Sequence, residues 1–209
     1  MSEPRKLRMG MVGGGPGAFI GPVHKMAAEL DGQIELVAGA FSQSAERSKA
    51  AGEVFRIDPA RAYADYHAML RAERERADGI DFVVIATPNN LHLPVAVAAM
   101  EAGIAVMSDK PATATYAEVL ELEAAVEKAG LPYGLTHTYA GYSLVREARE
   151  ICASGKLGAI RKVAVEYLQG WLSSPLETTG QKQAAWRSDP ALNGPGGCIG
   201  DIGTHAFHL

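Results

Sequence analysis

The chain has 209 residues, 47% hydrophobic and 21% charged, with a formal net charge of -4. That balance excludes the low hydrophobicity of a disordered chain and the long apolar run of a bilayer span, and the acidic excess argues against nucleic acid as the main partner. The length suits one large domain, or one complete domain with part of another.

Cys152 and Cys198 are the only cysteines and form no CxxC pair, so neither a disulfide framework nor a zinc-ribbon spacing is offered and a reducing cytoplasm fits. The opening "MSEPRKLRMGMVGGG" breaks its apolar stretch with glycines at once, so no export signal is read there. Residues 7–12 ("LRMGMV") read as a strand running into "GGGPGAFIG", too glycine-rich for an element interior and therefore a tight turn. A helix over about 22–30, a strand over 34–41 ("IELVAGAF") and a helix from Ser44 complete a βαβ unit. The alternation continues. "YADYHAMLRAERERA" reads as a helix whose "RAERER" run alternates in sign, as a solvated face does. "IDFVVIATP" is a strand, "LPVAVAAMEAG" a helix, "IAVMSDKP" a strand, "TYAEVLELEAAVEKAG" a helix and "LPYGLTH" a strand. Near-continuous apolar strands separated by amphipathic helices predict an α/β fold, a doubly wound parallel sheet with ligands at the carboxyl ends of its strands.

The pattern changes after Thr138. "YSLVREAREICASG" reads as a helix, and "AIRKVAVEYLQGW" (159–171) as a strand of a half-exposed sheet, because Val163, Val165 and Tyr167 alternate with Ala164, Glu166 and Leu168. From there to Gly200 the chain is loop-like. Residues 1–138 are thus expected to form a dinucleotide-binding domain, and 139–209 the start of an α/β open-sheet substrate domain.

Three motifs carry chemistry. In "VGGGPGA" the spacing Gly13-x-Gly15-x-x-Ala18 follows a strand and precedes a helix, the context that makes a glycine pattern a dinucleotide fingerprint. Gly13 allows the turn, Gly15 lets backbone approach a pyrophosphate, and Ala18 is expected to keep the helix close. At the tip of the second strand, where an acid would hold the ribose of NAD, stand Phe41, Ser42, Gln43 and Ser44, with Arg47 just beyond. Ser42 and Arg47 suit a 2'-phosphate and favour NADP over NAD; a solvated helix arginine is the plain alternative. The ending "GDIGTHAFHL" sets Asp201 and His205 four residues apart, on one face of a helix.

"ATPNNLHLPVAVAAMEAGIAVMSDKP", "REICASGKLGAIRKVAVEYLQGW" and "GDIGTHAFHL" together resemble the glucose-fructose oxidoreductase and inositol dehydrogenase family (Gfo/Idh/MocA) over essentially the whole chain. In that family the fourth strand ends in a TPN-type turn, here Thr87-Pro88-Asn89, and the fifth in Glu-Lys-Pro, here Asp109-Lys110-Pro111. The resemblance implies an NAD(P)-dependent Rossmann oxidoreductase moving a hydride between nicotinamide and a sugar, polyol or related hydroxy or keto compound. It makes Lys110, Asp201 and His205 the catalytic constellation. Histidine suits proton transfer near neutral pH, and lysine suits a charge developing on the reacting oxygen. Thr87, Pro88, Asn89 and His92 at the turn after the fourth strand are expected at the cofactor with Lys110; His137 and Tyr139 are expected by topology to face its nicotinamide end, and Trp171, Trp186 and Arg187 are candidates to line a sugar-like substrate site; structural hydrogen bonding or core packing is the alternative for each. The resemblance also implies a homo-oligomer built through the carboxyl-terminal sheet of a longer relative, so the chain is expected to be truncated. A dinucleotide-binding module without turnover is the rival reading. A metal site of Asp201, His205 and His208 ranks well behind it, since no cysteine or second carboxylate accompanies them.

Overall fold

The computed structural model describes residues 5–209; the first four residues of the stretch read for export lie outside them. The chain runs β1 (Leu7–Gly13), α1 (Ile20–Glu29), β2 (Ile34–Ala40), α2 (Ala45–Phe55), α3 (Tyr66–Glu75), β3 (Phe82–Ala86), α4 (His92–Glu101), β4 (Ala105–Asp109), α5 (Tyr116–Ala129) and β5 (Tyr133–Thr136). These strands form one sheet in the order β2-β1-β3-β4-β5, every pair parallel. Strand order reverses between β1 and β3, and at such a switch point an open α/β sheet leaves a crevice at the carboxyl ends of its strands.

The family count puts one more strand between β2 and β3. Here it is reduced to a single parallel bridge of Gly39 with Ala62, where the Tyr63 N–H donates to the Gly39 carbonyl at 2.8 Å. The Thr87 turn therefore follows the third strand of this sheet, Lys110 the fourth and His137 the fifth.

Strand residues alternate between two apolar layers. Met9, Met11, Leu36 and Val84 pack with Phe41, Phe55 and Ile57 on the α2 side. Val12, Val83, Ile85 and Val106 pack with Met69, Val95, Ala99 and Leu122 of α3, α4 and α5 on the other. A register shift between Met9 and Gly10 skips Val37, which is why Leu36 and Ala38 serve opposite layers. Helix starts are locally encoded: Ser44 and Asp65 cap α2 and α3, and Thr115 with Glu118 forms a capping box on α5, which ends at Gly130 in the left-handed region.

Beyond β5 the chain forms α6 (Ser143–Ala153), α7 (Lys182–Arg187), α8 (Pro190–Asn193), a π-helical turn (Ile199–Gly203) and α9 (Thr204–His208). The strand expected over 159–171 is not formed: residues 161–170 carry no regular structure. Alternating side chains describe which face each residue prefers, but a strand also needs a neighbour for its N–H and C=O groups, and none pairs with this segment among the described residues. Val163 and Leu168 stand largely exposed in consequence.

Candidate active site

A cleft opens at the switch point, lined by Gly13, Gly15, Ala18, Ser42, Arg47, Thr87, Pro88, Asn89, Lys110 and Asp201, all singled out in the sequence. Gly13 sits at φ +75°, and a Cβ there would lie 2.6 Å from the Ala86 carbonyl oxygen, so only glycine lets β1 turn against the end of β3. Above it α1 begins without any side-chain cap and with no acid in its first turn. Its amino-terminal N–H groups are thus left for an outside acceptor, which is what a diphosphate supplies. The glycine loop and this uncapped helix fit a dinucleotide.

One role assigned from the sequence moves. Ala18 lies in the turn before α1, its N–H bonded to the Gly15 carbonyl at 2.9 Å, and the close packing belongs to Gly21. A Cβ on Gly21 would sit 1.8 Å from the Gly14 carbonyl oxygen. Gly21 stands in the first turn of α1, three residues after Ala18, and there meets the glycine loop.

Ser42 and Arg47, just past the end of β2, both line the cleft. The Ser42 hydroxyl accepts from the Ser44 N–H at 3.2 Å, and Ser44 caps α2 through the Arg47 N–H. No carboxylate lines this end of the cleft.

At the opposite end, residues far apart in sequence meet. Lys110, just past β4, donates from Nζ to Asp201 Oδ1 at 2.7 Å, and Arg187 at the end of α7 donates from Nε to Oδ2 at 3.0 Å. Burial by itself would raise the Asp201 carboxyl, but Lys110 and Arg187 together hold it below its ordinary value. The Arg187 guanidinium lies over Trp186 (4.2 Å to the ring centroid) and near Trp171 (5.5 Å), and Gln183 accepts from it at 2.7 Å. Trp186 and Arg187, read from sequence as loop residues, are on a helix because Gln181 caps α7 through the Ala184 N–H.

His205 is half-buried on α9, its ring 4.7 Å from Tyr139 and 6.0 Å from Tyr167, whose hydroxyls share a 2.7 Å hydrogen bond. Burial, reinforced by the nearby Lys110 charge, lowers the His205 imidazole below its ordinary value of 6.5, so it is neutral at neutral pH. No hydrogen bond joins it to Asp201 among the described residues, since that carboxylate is taken by the two cations.

Two residues expected near the cofactor are not among those lining the cleft. His92 is buried outside the lining of the cleft, with Nδ1 2.6 Å from the Pro111 carbonyl and Nε2 3.1 Å from the Thr87 carbonyl. It ties the turn after β3 to the turn after β4. His137 lines a second, mainly apolar groove with Phe207 and stacks on His208 at 3.9 Å. Among the described residues no group of three or more His, Cys, Asp and Glu is placed to hold a metal ion. Asp109, the departure from the family's glutamate, also lines the cleft, and its carboxylate accepts from the Thr136 hydroxyl (3.0 Å) and the Lys110 N–H (2.8 Å). Sequence reading also missed Gly21, Gln183 and Asn193; only Gly21 left a visible signal, as one more glycine after the fingerprint.

Residues 7–137 match the model described as oxidoreductase family, NAD-binding Rossmann fold, and 145–209 match the GFO/IDH/MocA carboxyl-terminal domain. The chain belongs to the GFO/IDH/MocA oxidoreductase family. It is 38% identical, over all of its length, to the uncharacterized oxidoreductase YfiI of Bacillus subtilis (strain 168), covering 53% of that protein. The crystal structure of an Azotobacter vinelandii inositol dehydrogenase homolog complexed with NAD+ is 40% identical with a TM-score of 0.93, over 98% of this chain and 52% of that one. An Azotobacter vinelandii inositol dehydrogenase homolog complexed with NADH and myo-inositol is 37% identical with a TM-score of 0.88, over 98% of this chain and 51% of that one. This GFO/IDH/MocA chain thus spans about half the length of the curated relatives it matches. No helix among its described residues is long and apolar enough to cross a membrane.

Proposed function

We propose that the chain forms the dinucleotide and catalytic part of an NAD(P)-dependent oxidoreductase acting on a sugar, polyol or related hydroxy compound. The observation that carries this reading is the pairing of Lys110 with Asp201, 91 residues apart, at 2.7 Å in the cleft that also contains the glycine loop. A bound nicotinamide dinucleotide supplies the hydride acceptor or donor. The chain's own groups do the rest. The loop N–H groups and the start of α1 hold the diphosphate. Lys110 donates a hydrogen bond to the reacting oxygen, and Asp201 orients that ammonium. Neutral His205, which makes no side-chain hydrogen bond among the described residues, takes the hydroxyl proton in the oxidising direction and returns it in the reducing one.

Two finer points belong to the same reading. Ser42 and Arg47 at the ribose end, with no carboxylate beside them, favour NADP(H), whereas the two inositol dehydrogenase homolog structures hold NAD+ and NADH. A myo-inositol complex in a relative supports a polyol-like substrate. The protein is read as cytoplasmic and, at the full length of its relatives, as a homo-oligomer built through the carboxyl-terminal sheet, which gel filtration of the full-length protein tests.

The decisive experiment screens sugars and polyols for nicotinamide absorbance change with wild type and Lys110→Ala. Removing one positioned donor should cut turnover by about 100- to 1,000-fold and leave dinucleotide affinity nearly unchanged. Full turnover in Lys110→Ala refutes the assignment.

A further inference from the structure

One residue that none of the cleft's motifs contains is bonded to both of its sides. Asn193 closes α8, is 5% exposed, and uses both ends of its amide. The side-chain amide of Asn89, itself 3% exposed, donates to Asn193 Oδ1 at 2.8 Å and to its backbone carbonyl at 2.9 Å. In the other direction Asn193 Nδ2 donates to the Arg187 carbonyl at 3.0 Å and to the Gly197 carbonyl at 3.4 Å. Arg187 is the residue whose Nε holds Asp201, and Gly197 lies four residues before Asp201 in the chain. The backbone is also pinned next door: Gly194 is at φ +86°, and a Cβ there would meet the Ala114 carbonyl oxygen at 2.4 Å.

We propose that Asn193 is a positioning residue that locks the turn after β3, which lines the dinucleotide cleft through Asn89, to the Arg187–Asp201 arm of the site. Only an amide can accept from Asn89 and donate to two carbonyls from one side chain. Aspartate has the same shape but no donor, and it would place an oxygen against the Arg187 and Gly197 carbonyls. Serine keeps one hydroxyl in less volume. The inference rests on the Asp201 arrangement described above and needs no turnover to be read. The groups facing Asp201 are Lys110 from the end of β4, Arg187 from α7, His205 from α9 and Tyr139 from the turn after β5. Loosening Arg187 removes one of the two cations bonded to Asp201.

The chain's two tryptophans, Trp171 and Trp186, both lie against the Arg187 guanidinium, so their fluorescence reports its release when Asp201 takes up a proton. In wild type the acid titration of that signal should have its midpoint below 3.8, the ordinary value for this carboxyl. In Asn193→Asp and Asn193→Ser the midpoint should rise toward that value, and calorimetry should show NAD+ binding weakened by roughly fivefold, the size of one neutral hydrogen bond. Asn193→Ser should add nothing further to the affinity loss in an Asn89→Ala background, because both act through one link. Where Asn193→Asp fails to fold by circular dichroism, Asn193→Ser decides. A midpoint and an affinity that both stay at wild-type values overturn the proposal, and so does a loss of melting temperature with neither of them moving. If wild type turns over no substrate while the variants still show these shifts against it, the oxidoreductase reading falls and the Asn193 link stands.

Discussion

Gly21→Ala adds one methyl group to the molecule and should disable the dinucleotide cleft. The new Cβ would fall 1.8 Å from the Gly14 carbonyl oxygen, 2.4 Å from its carbon and 2.5 Å from its Cα. All three are backbone atoms, so no rotamer change relieves the collision, and α1 or the glycine loop must retreat by more than 1 Å to reach a real contact distance. Overpacking of this kind costs about 1–3 kcal/mol of stability, which for a chain of this length lowers the melting temperature by about 2–4 °C per kcal/mol. The loss in binding is larger. Each hydrogen bond from a loop N–H to a diphosphate oxygen contributes about 1.5–3 kcal/mol, so displacing one raises the dissociation constant by about 10- to 150-fold. Calorimetric titration with NAD+ and a thermal melt measure both effects. Gly103→Ala is the control: at φ +77° with no atom within 4 Å, it carries backbone strain of about 1–2 kcal/mol and no collision, so it should lower the melting temperature alone. A folded Gly21→Ala protein that binds NAD+ as tightly as wild type would refute the close-approach argument.

Three further outcomes are expected. Glu73→Ala leaves the buried Arg61 guanidinium without the carboxylate it bonds, and without the group that accepts from the Tyr63 hydroxyl at 2.8 Å; denaturant melts should show a loss of about 3–5 kcal/mol, and a loss under about 1 kcal/mol contradicts the pairing. His205 is held below its ordinary 6.5 by burial and by Lys110, so the fold favours its neutral form: oxidation should fall as pH drops through an apparent pKa under 6.5, and His205→Ala should remove that acid limb. The same shift means that the neutral ring's contribution to stability is fully present above 6.5 and is lost as pH falls. Arg47→Ala should weaken NADP(H) by about 10- to 150-fold and leave NAD(H) alone, as parallel titrations would show; equal affinities in wild type and variant remove Arg47 from the ribose site.

Much of the fold is legible in the chain itself because its signals are local. Strand and helix periods differ, and caps such as Ser44 and the Thr115–Glu118 box act within one turn, so five strands and their covering helices can be placed from residues a few positions apart. The glycine loop is legible for the same reason. So are Lys110, Asp201 and His205 as candidates, though their short motifs carry no distance between Lys110 and Asp201.

What only the tertiary structure decided are the relations across long stretches of sequence. Alternation in "VAVEYL" is a local property, whereas the neighbour that makes a strand is not, so residues 161–170 carry the pattern without the pairing. His92 looks like a cofactor histidine beside the Thr87 turn until the fold brings the Pro111 carbonyl to its other nitrogen. Ala18 has the fingerprint spacing, but the fold sets Gly21 and not Ala18 against the Gly14 carbonyl. Asn193 sits in a stretch that reads as loop, and it gains meaning only because Asn89, 104 residues earlier, is folded against it. Side-chain hydrogen bonds and collisions depend on separations of a few ångströms in space, and a sequence records order along the chain, so contacts of this range exist only once the sheet has brought its strand ends together.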